Sequence, residues 1–166
     1  MISSKIEQEA SDFINQLTSD IELLEGLITN NILEDYDRIG AEQEFCLIDE
    51  NFRANPINEK LFNKCKKHGF VTEIAKFNME LNIEPIDLNR NSMRKMENTL
   101  LEKMKIVETI AKKYNSDIIM TGILPTVRKD DLQLKNITNN QRYFDLCNAI
   151  NEFRGKKYNI RISGLD

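Results

Sequence analysis

Four glutamates carry the chemistry that this sequence suggests. Glu42 and Glu44 sit inside the stretch from Arg38 to Ile48, and Glu73 and Glu80 inside the stretch from Glu73 to Ile83. Both stretches otherwise read as buried β-strands, where an ionised carboxylate is expensive unless a cation or hydrogen bonds compensate it. Side chains two apart on a strand point the same way, so Glu42 and Glu44 project from one face about 6 to 7 Å apart. Glu80 projects from the polar face of its own strand, with Asn78, Asn82 and Glu84. If the two strands are neighbours, four carboxylates converge. Such hard oxygen donors suit Mg²⁺ or Mn²⁺, which are typically held by a few carboxylates together with substrate phosphates. The same acids also fit a solvated face of an antiparallel sheet, and that alternative stays open at this point.

The elements that must position these residues follow from periodicity and punctuation. Residues 38–48 form an apolar run closed by Asp49-Glu50-Asn51, a turn composition that predicts strand one. Gly40 leaves room there for another backbone or a ligand. Phe77, Met79, Leu81 and Ile83 alternate with polar residues, and Pro85 is expected to stop that strand. Glu73 breaks the period of two relative to Glu80, which implies a bend or bulge around Ala75 and Lys76. A helix capped by Ser3 or Ser4 carries Ala10, Phe13, Ile14, Leu17, Ile21, Leu24 and Ile28 at steps of three and four, ending near Asn30 and Asn31. Further helices are expected over 57–68, ending at Gly69, and from Ser92 to about Tyr114. Met93, Met96 and Met104 have core spacing on the latter. A strand is expected from Asp117 to Gly122, then a long surface loop from Arg128 to Asn140. Asn140 can cap a last helix with Tyr143, Phe144, Leu146, Cys147, Ile150 and Phe153, closed by Gly155 and followed by a strand over 158–162. Helices and strands mix without a strict βαβ rhythm, so the fold class is α+β with a mainly antiparallel sheet.

Composition narrows the function. With 166 residues, 40% hydrophobic and 30% charged, the chain suffices for one core, and a single domain is expected. A net charge of −4 lacks the basic excess that drives binding to nucleic acid. Three widely spaced cysteines, Cys46, Cys65 and Cys147, argue against a disulfide framework and for a reducing compartment. Cys65 and His68 lie close together, but no second ligand pair completes a zinc site. The N-terminus lacks an apolar signal region and no run approaches ~18 apolar residues, so neither export nor membrane spanning is expected and the cytoplasm is the default.

Several segments together resemble the glutamate-cysteine ligase superfamily, including its bacterial carboxylate-amine ligase branch. Gly40-Ala-Glu-Gln-Glu-Phe45 is similar to the family's Gly-x-Glu-x-Glu-Phe opening strand, and Glu73 and Glu80 to its second acidic pair. Thr121 to Thr126, Arg142-Tyr143 and Ile162-Ser-Gly164 are similar to later family segments, in the same order. The resemblance spans about residues 38 to 166.

What it implies is a glutamine-synthetase-like fold, a curved antiparallel sheet with flanking helices whose glutamates hold Mg²⁺ (or Mn²⁺) against ATP phosphates. The implied reaction is an ATP-dependent ligation of the kind used in glutathione biosynthesis. Glutamate is activated as its γ-glutamyl phosphate and then attacked by an amine or amino acid. Metal ions suit that chemistry because they neutralise charge on a transferring phosphoryl group. By resemblance Glu42, Glu44, Glu73 and Glu80 are metal ligands. Arg142 is the catalytic and substrate-binding candidate, since its planar fork pairs with carboxylate or phosphate. Tyr143 and Arg161 complete the substrate-binding set. Where the family has a Ser-Gly-x-His-like strand, this chain reads Ser163-Gly-Leu-Asp166, and the histidine is absent. Family catalytic domains also continue beyond this point. The expectation is therefore the front portion of a catalytic domain, with residues 1–31 as an N-terminal helix and little or no turnover alone. A non-catalytic ligase-like interaction or regulatory module is the alternative, and self-association is left open.

Overall fold

The first half of strand β1 buries one face and the second half buries both. Along Arg38–Ile48 the side chains alternate between exposed and half-buried up to Glu44, and then Phe45, Cys46, Leu47 and Ile48 are all buried. That change along one strand organises the molecule. The computed structural model describes residues 2–34 and 36–155, with only the helical backbone for 2–6. It divides into two compact units, Met1–Asp37 and Arg38–Asp166.

The first unit is helix α1, Ile2–Thr29. It closes where Asn31 takes a left-handed φ of 53° and the Asn30, Asn31 and Ile32 amides donate back to the Gly26, Ile28 and Leu27 carbonyls. Asn is one of the few non-glycine residues that adopt this conformation readily. Its apolar stripe is exposed along its length.

The second unit is α+β, as expected. Its elements are β1 (Arg38–Ile48), α2 (Asn58–Cys65), β2 (Phe70–Thr72), β3 (Asn78–Asp87), α3 (Ser92–Lys112), β4 (Asp117–Ile119) and α4 (Gln141–Arg154), with short 3₁₀ turns at Lys66–His68 and Leu134–Asn136. The four strands form one open antiparallel sheet in the order β2-β3-β1-β4.

Helices α2 and α3 cover one face. Phe45, Leu47, Met79, Leu81 and Phe70 from the sheet meet Leu61, Cys65, Met104 and Val107 from the helices. The Phe45 and Phe70 rings pack edge to face at 6.0 Å and 87°, a favoured aromatic geometry. On the other face a smaller cluster of Cys46, Ile48, Phe77 and Leu124 covers the end near β4. Glu42, Glu44 and Glu80 lie on that second face, beyond the cluster.

Pro85 does not stop the strand. β3 continues to Asp87 because Glu84 and Pro85 form a bulge opposite the single residue Gly40, between the Ile39–Ile86 and Ala41–Ile83 pairs. A bulge tolerates the missing proline N–H. The predicted bend at Ala75 and Lys76 is the turn of the β2–β3 hairpin, closed by the Asn78 amide donating to the Ala75 carbonyl at 2.8 Å. Its other arm, β2, was not expected from the sequence. Gly69 precedes it at φ 91°, and a Cβ there would sit 2.5 Å from the Asn82 carbonyl oxygen, so glycine is required by both conformation and space.

Other boundaries shift for local reasons. α3 starts at Ser92 as expected and ends at Lys112; the fully buried Ser92 hydroxyl donates to the Asp87 carbonyl at 2.6 Å and accepts from the Asn89 amide at 2.6 Å. The strand expected to reach Gly122 ends at Ile119, because its ladder partners are only Cys46, Leu47 and Ile48. The segment expected as a surface loop is pinned to the hairpin by the Ala75–Ile137 bridge and by Thr138, whose amide donates to the Ile74 carbonyl. Asn140 caps α4 through its side chain and Gly155 ends it at φ 65°, both as expected. The apolar face predicted for α4 buries no residue, and Phe153 is 95% exposed. The expected last strand over 158–162 lies outside the described residues.

Candidate functional site

Antiparallel pairing decides which glutamates meet. Glu44 on β1 is the direct ladder partner of Glu80 on β3, and Glu42 is the partner of Asn82. Val71 on β2 pairs with Glu80, and the Glu73 amide reaches the Asn78 carbonyl at 3.4 Å, so Glu73 continues the alternation on the same face as Glu80. Glu73 thus stands at the start of the hairpin turn and Glu80 on its second arm. Glu44, Glu73 and Glu80 each bring a carboxylate oxygen to within 4.8 Å of the others. Glu42 stands on the same face one step along β1 and lies outside this trio.

The trio is partly shielded. Glu44 is exposed, while Glu73 and Glu80 are half-buried. Among the described residues, no lysine or arginine forms an ion pair with any of the three. Glu80 responds to this setting. Burial raises its carboxyl above the ordinary glutamate value; a side-chain hydrogen bond from Asn82 opposes the rise, and Glu42, Glu73 and Glu44 add to it by repulsion. Cys46, two residues beyond Glu44 on the same face, is raised first by burial and then by Glu44.

Asn78 and Asn82 flank Glu80 on β3, and the Oδ1 atom of each is buried without a hydrogen-bond partner among the described residues. The three carboxylates of the trio offer oxygen donors of the kind that a hard divalent cation takes, and such acids are also common on a solvated sheet face. One of the carboxylates is held through its backbone. Asn58, fully buried at the start of α2, donates through Nδ2 to the carbonyls of Glu73 (3.4 Å), Ala75 (3.2 Å) and Asn78 (3.1 Å) and to the Thr138 hydroxyl oxygen (2.8 Å). Thr138 in turn donates its hydroxyl to the Glu73 carbonyl. These two residues fix the turn that carries Glu73, a role with no local signature because their partners lie 15 to 80 positions away.

Arg142 and Tyr143 lie in the first turn of α4. The Tyr143 hydroxyl donates to the Thr72 carbonyl at 3.2 Å, directly before Glu73. Burial raises its pKa, Glu73 and Glu80 add to the rise, and Arg142 opposes it. That coupling places the turn within electrostatic reach of the acids. Arg142 is exposed, with its backbone amide on the Asn140 cap. Arg161 lies outside the described residues. No protein-family model matches the chain, and no match was found among curated proteins or solved structures.

Proposed function

We propose that the acidic face of the second unit belongs to an ATP- and Mg²⁺-dependent carboxylate-amine ligase of the glutamate-cysteine ligase type. The observation that carries this reading is the convergence of Glu44, Glu73 and Glu80 from β1, the β2–β3 turn and β3 onto one face. The ordered resemblance of the segments around Gly40, Glu73, Thr121 and Arg142 to that superfamily supports it. In the proposed reaction the γ-carboxylate of glutamate takes the terminal phosphoryl group of ATP, releasing ADP, and an amine then displaces inorganic phosphate to leave an amide. A bound Mg²⁺ would supply neutralisation of phosphate charge.

The chain's own residues have separate tasks in this reading. Glu44, Glu73 and Glu80 would hold the cation, with Glu42 one step away to extend the set. Arg142 presents a guanidinium fork suited to a carboxylate or phosphate. Tyr143 anchors the first turn of α4 to the hairpin through the Thr72 carbonyl.

The test is a titration of Mn²⁺ and of Mg²⁺ with ATP, followed by thermal stability and by glutamate- and amine-dependent ADP release. A ligand that binds only the folded form raises the melting temperature. The reading requires a rise that is lost in the Glu44→Gln/Glu80→Gln double variant. Cation binding that is indifferent to ATP would favour the non-catalytic interaction module, since little or no ADP release is expected from this chain alone. No cation response at all would remove both the metal site and the ligase.

A further inference from the structure

The proposed ligase face makes no use of α1, whose sequence specifies a partner of its own. Ala10, Ile14, Leu17, Ile21, Leu24 and Ile28 follow one another at steps of 4, 3, 4, 3 and 4 residues. That is a heptad rhythm, and Phe13 and Leu27 widen the stripe at g. Isoleucine occupies every a position from Ile14 on, and leucine follows at d after Ala10. This combination selects two strands in parallel coils. The five larger side chains of this seam are 43 to 60% exposed, although an amphipathic helix gains most of its stability from covering such a face.

The polar residues agree with a helical partner. The outermost f positions are Asp12, Ser19 and Gly26, and a Cβ at Gly26 would meet nothing within 4 Å. A helix lying on a membrane surface would be rich in lysine and arginine. In contrast, α1 carries six acids and one lysine. Of those acids only Asp20 and Glu25 flank the seam, at g and e. Whichever way a second copy of α1 runs, the flanking contact is acid against acid: Asp20 with Glu25 in a parallel pair, Asp20 with Asp20 in an antiparallel one.

We propose that α1 pairs with α1 of a second copy of this chain in a two-stranded coiled coil, with a seam from Ala10 to Ile28 about 28 Å long.

Sedimentation equilibrium of the full chain over micromolar to submillimolar concentrations tests this. The wild type is expected to be a dimer. Its dissociation constant should fall as salt is raised, because screening relieves the acid flank. Ile21→Asp, which places a charge in the seam, should weaken dimerisation at least about tenfold. Ser19→Asp, at the outer f position, should leave a dimer. An unchanged melting transition of the sheet unit in both variants shows that folding is intact. A wild type that stays monomeric, forms trimers, or dimerises equally well as Ile21→Asp overturns the proposal.

Discussion

Glu44 and Glu80 face each other directly across the β1–β3 ladder, with Glu73 completing a group of three from the hairpin turn. Like charges placed opposite one another destabilise a sheet by about 0.2–1 kcal/mol. Replacing Glu80 by Gln should therefore stabilise the metal-free protein, raising Tm by at most about 4 °C in a domain of this size. With Mn²⁺ present the order should reverse, because the wild type alone keeps the full oxygen set. Differential scanning fluorimetry with and without the ion checks both halves. A lower Tm for the metal-free variant would contradict the arrangement.

The raised pKa of Glu80 fixes a pH dependence. A carboxyl that binds its proton more tightly folded than unfolded contributes stability below the ordinary glutamate pKa, and loses it as pH rises through the elevated value. The wild type should therefore lose ground to Glu80→Gln as pH rises through the carboxylate range, and the gap should be constant above it. Paired melting curves across that range measure it. A gap that moves in the wild type's favour would mean that Glu80 has found a cationic partner.

Asn58 is the hidden support of the site. Its Nδ2 serves three backbone carbonyls and the Thr138 hydroxyl. Asn58→Ala removes the two N–H donors that these four acceptors share and leaves a void at a fully buried position, which should cost about 1–3 kcal/mol. Urea unfolding measures that loss. Because the Glu73 carbonyl is among the acceptors, the stabilising response to Mn²⁺ should shrink as well.

Phe52 holds a left-handed backbone, φ 58°, while 65% of its side chain is exposed. It closes the β1 turn, where Asp49 accepts the Asn51 and Arg53 amides through Oδ1 and the Phe52 amide through its carbonyl. A side chain with a Cβ costs about 1–2 kcal/mol in that conformation, and asparagine tolerates it best after glycine. Phe52→Asn should therefore stabilise the protein by about 1 kcal/mol, read again by urea unfolding.

The three cysteines should separate by reactivity. Cys65 is fully buried, and burial pushes its thiol up to about 11; Cys46 is buried and raised as well; Cys147 is half-buried. The thiolate is the reactive form. An aromatic disulfide reagent should thus titrate one thiol quickly in native protein and all three after denaturation. Fast release of two or more equivalents would show that the core around Cys46 or Cys65 opens readily.

Much of this was legible in local sequence. An apolar run over 38–48 and alternation along 77–83 marked two strands, although Phe77 packs with Cys46 and Ile48 rather than with Met79; Gly69 and Gly155 marked helix ends, and Asn140 marked a cap. Each of these is set by one residue's backbone preference, by a local apolar run or by a period of two. The misreadings have a common cause. Pro85 forbids one hydrogen bond, and only the register opposite Gly40 shows that a bulge absorbs the loss. Residues 70–72 are too few to show a period, and they become a strand because β3 pairs with them.

For the candidate site, the sequence by itself determined the donors: glutamates of the right type, two of them committed to one face by spacing along a single strand. Tertiary structure alone decided the membership. Register set Glu44 against Glu80, the hairpin brought Glu73 back to them, and Glu42 was left one pair away. Pairing partners are chosen by the packing of a whole sheet and by buried groups such as Asn58 and Thr138, whose contacts reach across as many as 80 positions. That selection is a long-range property, and no local pattern encodes it.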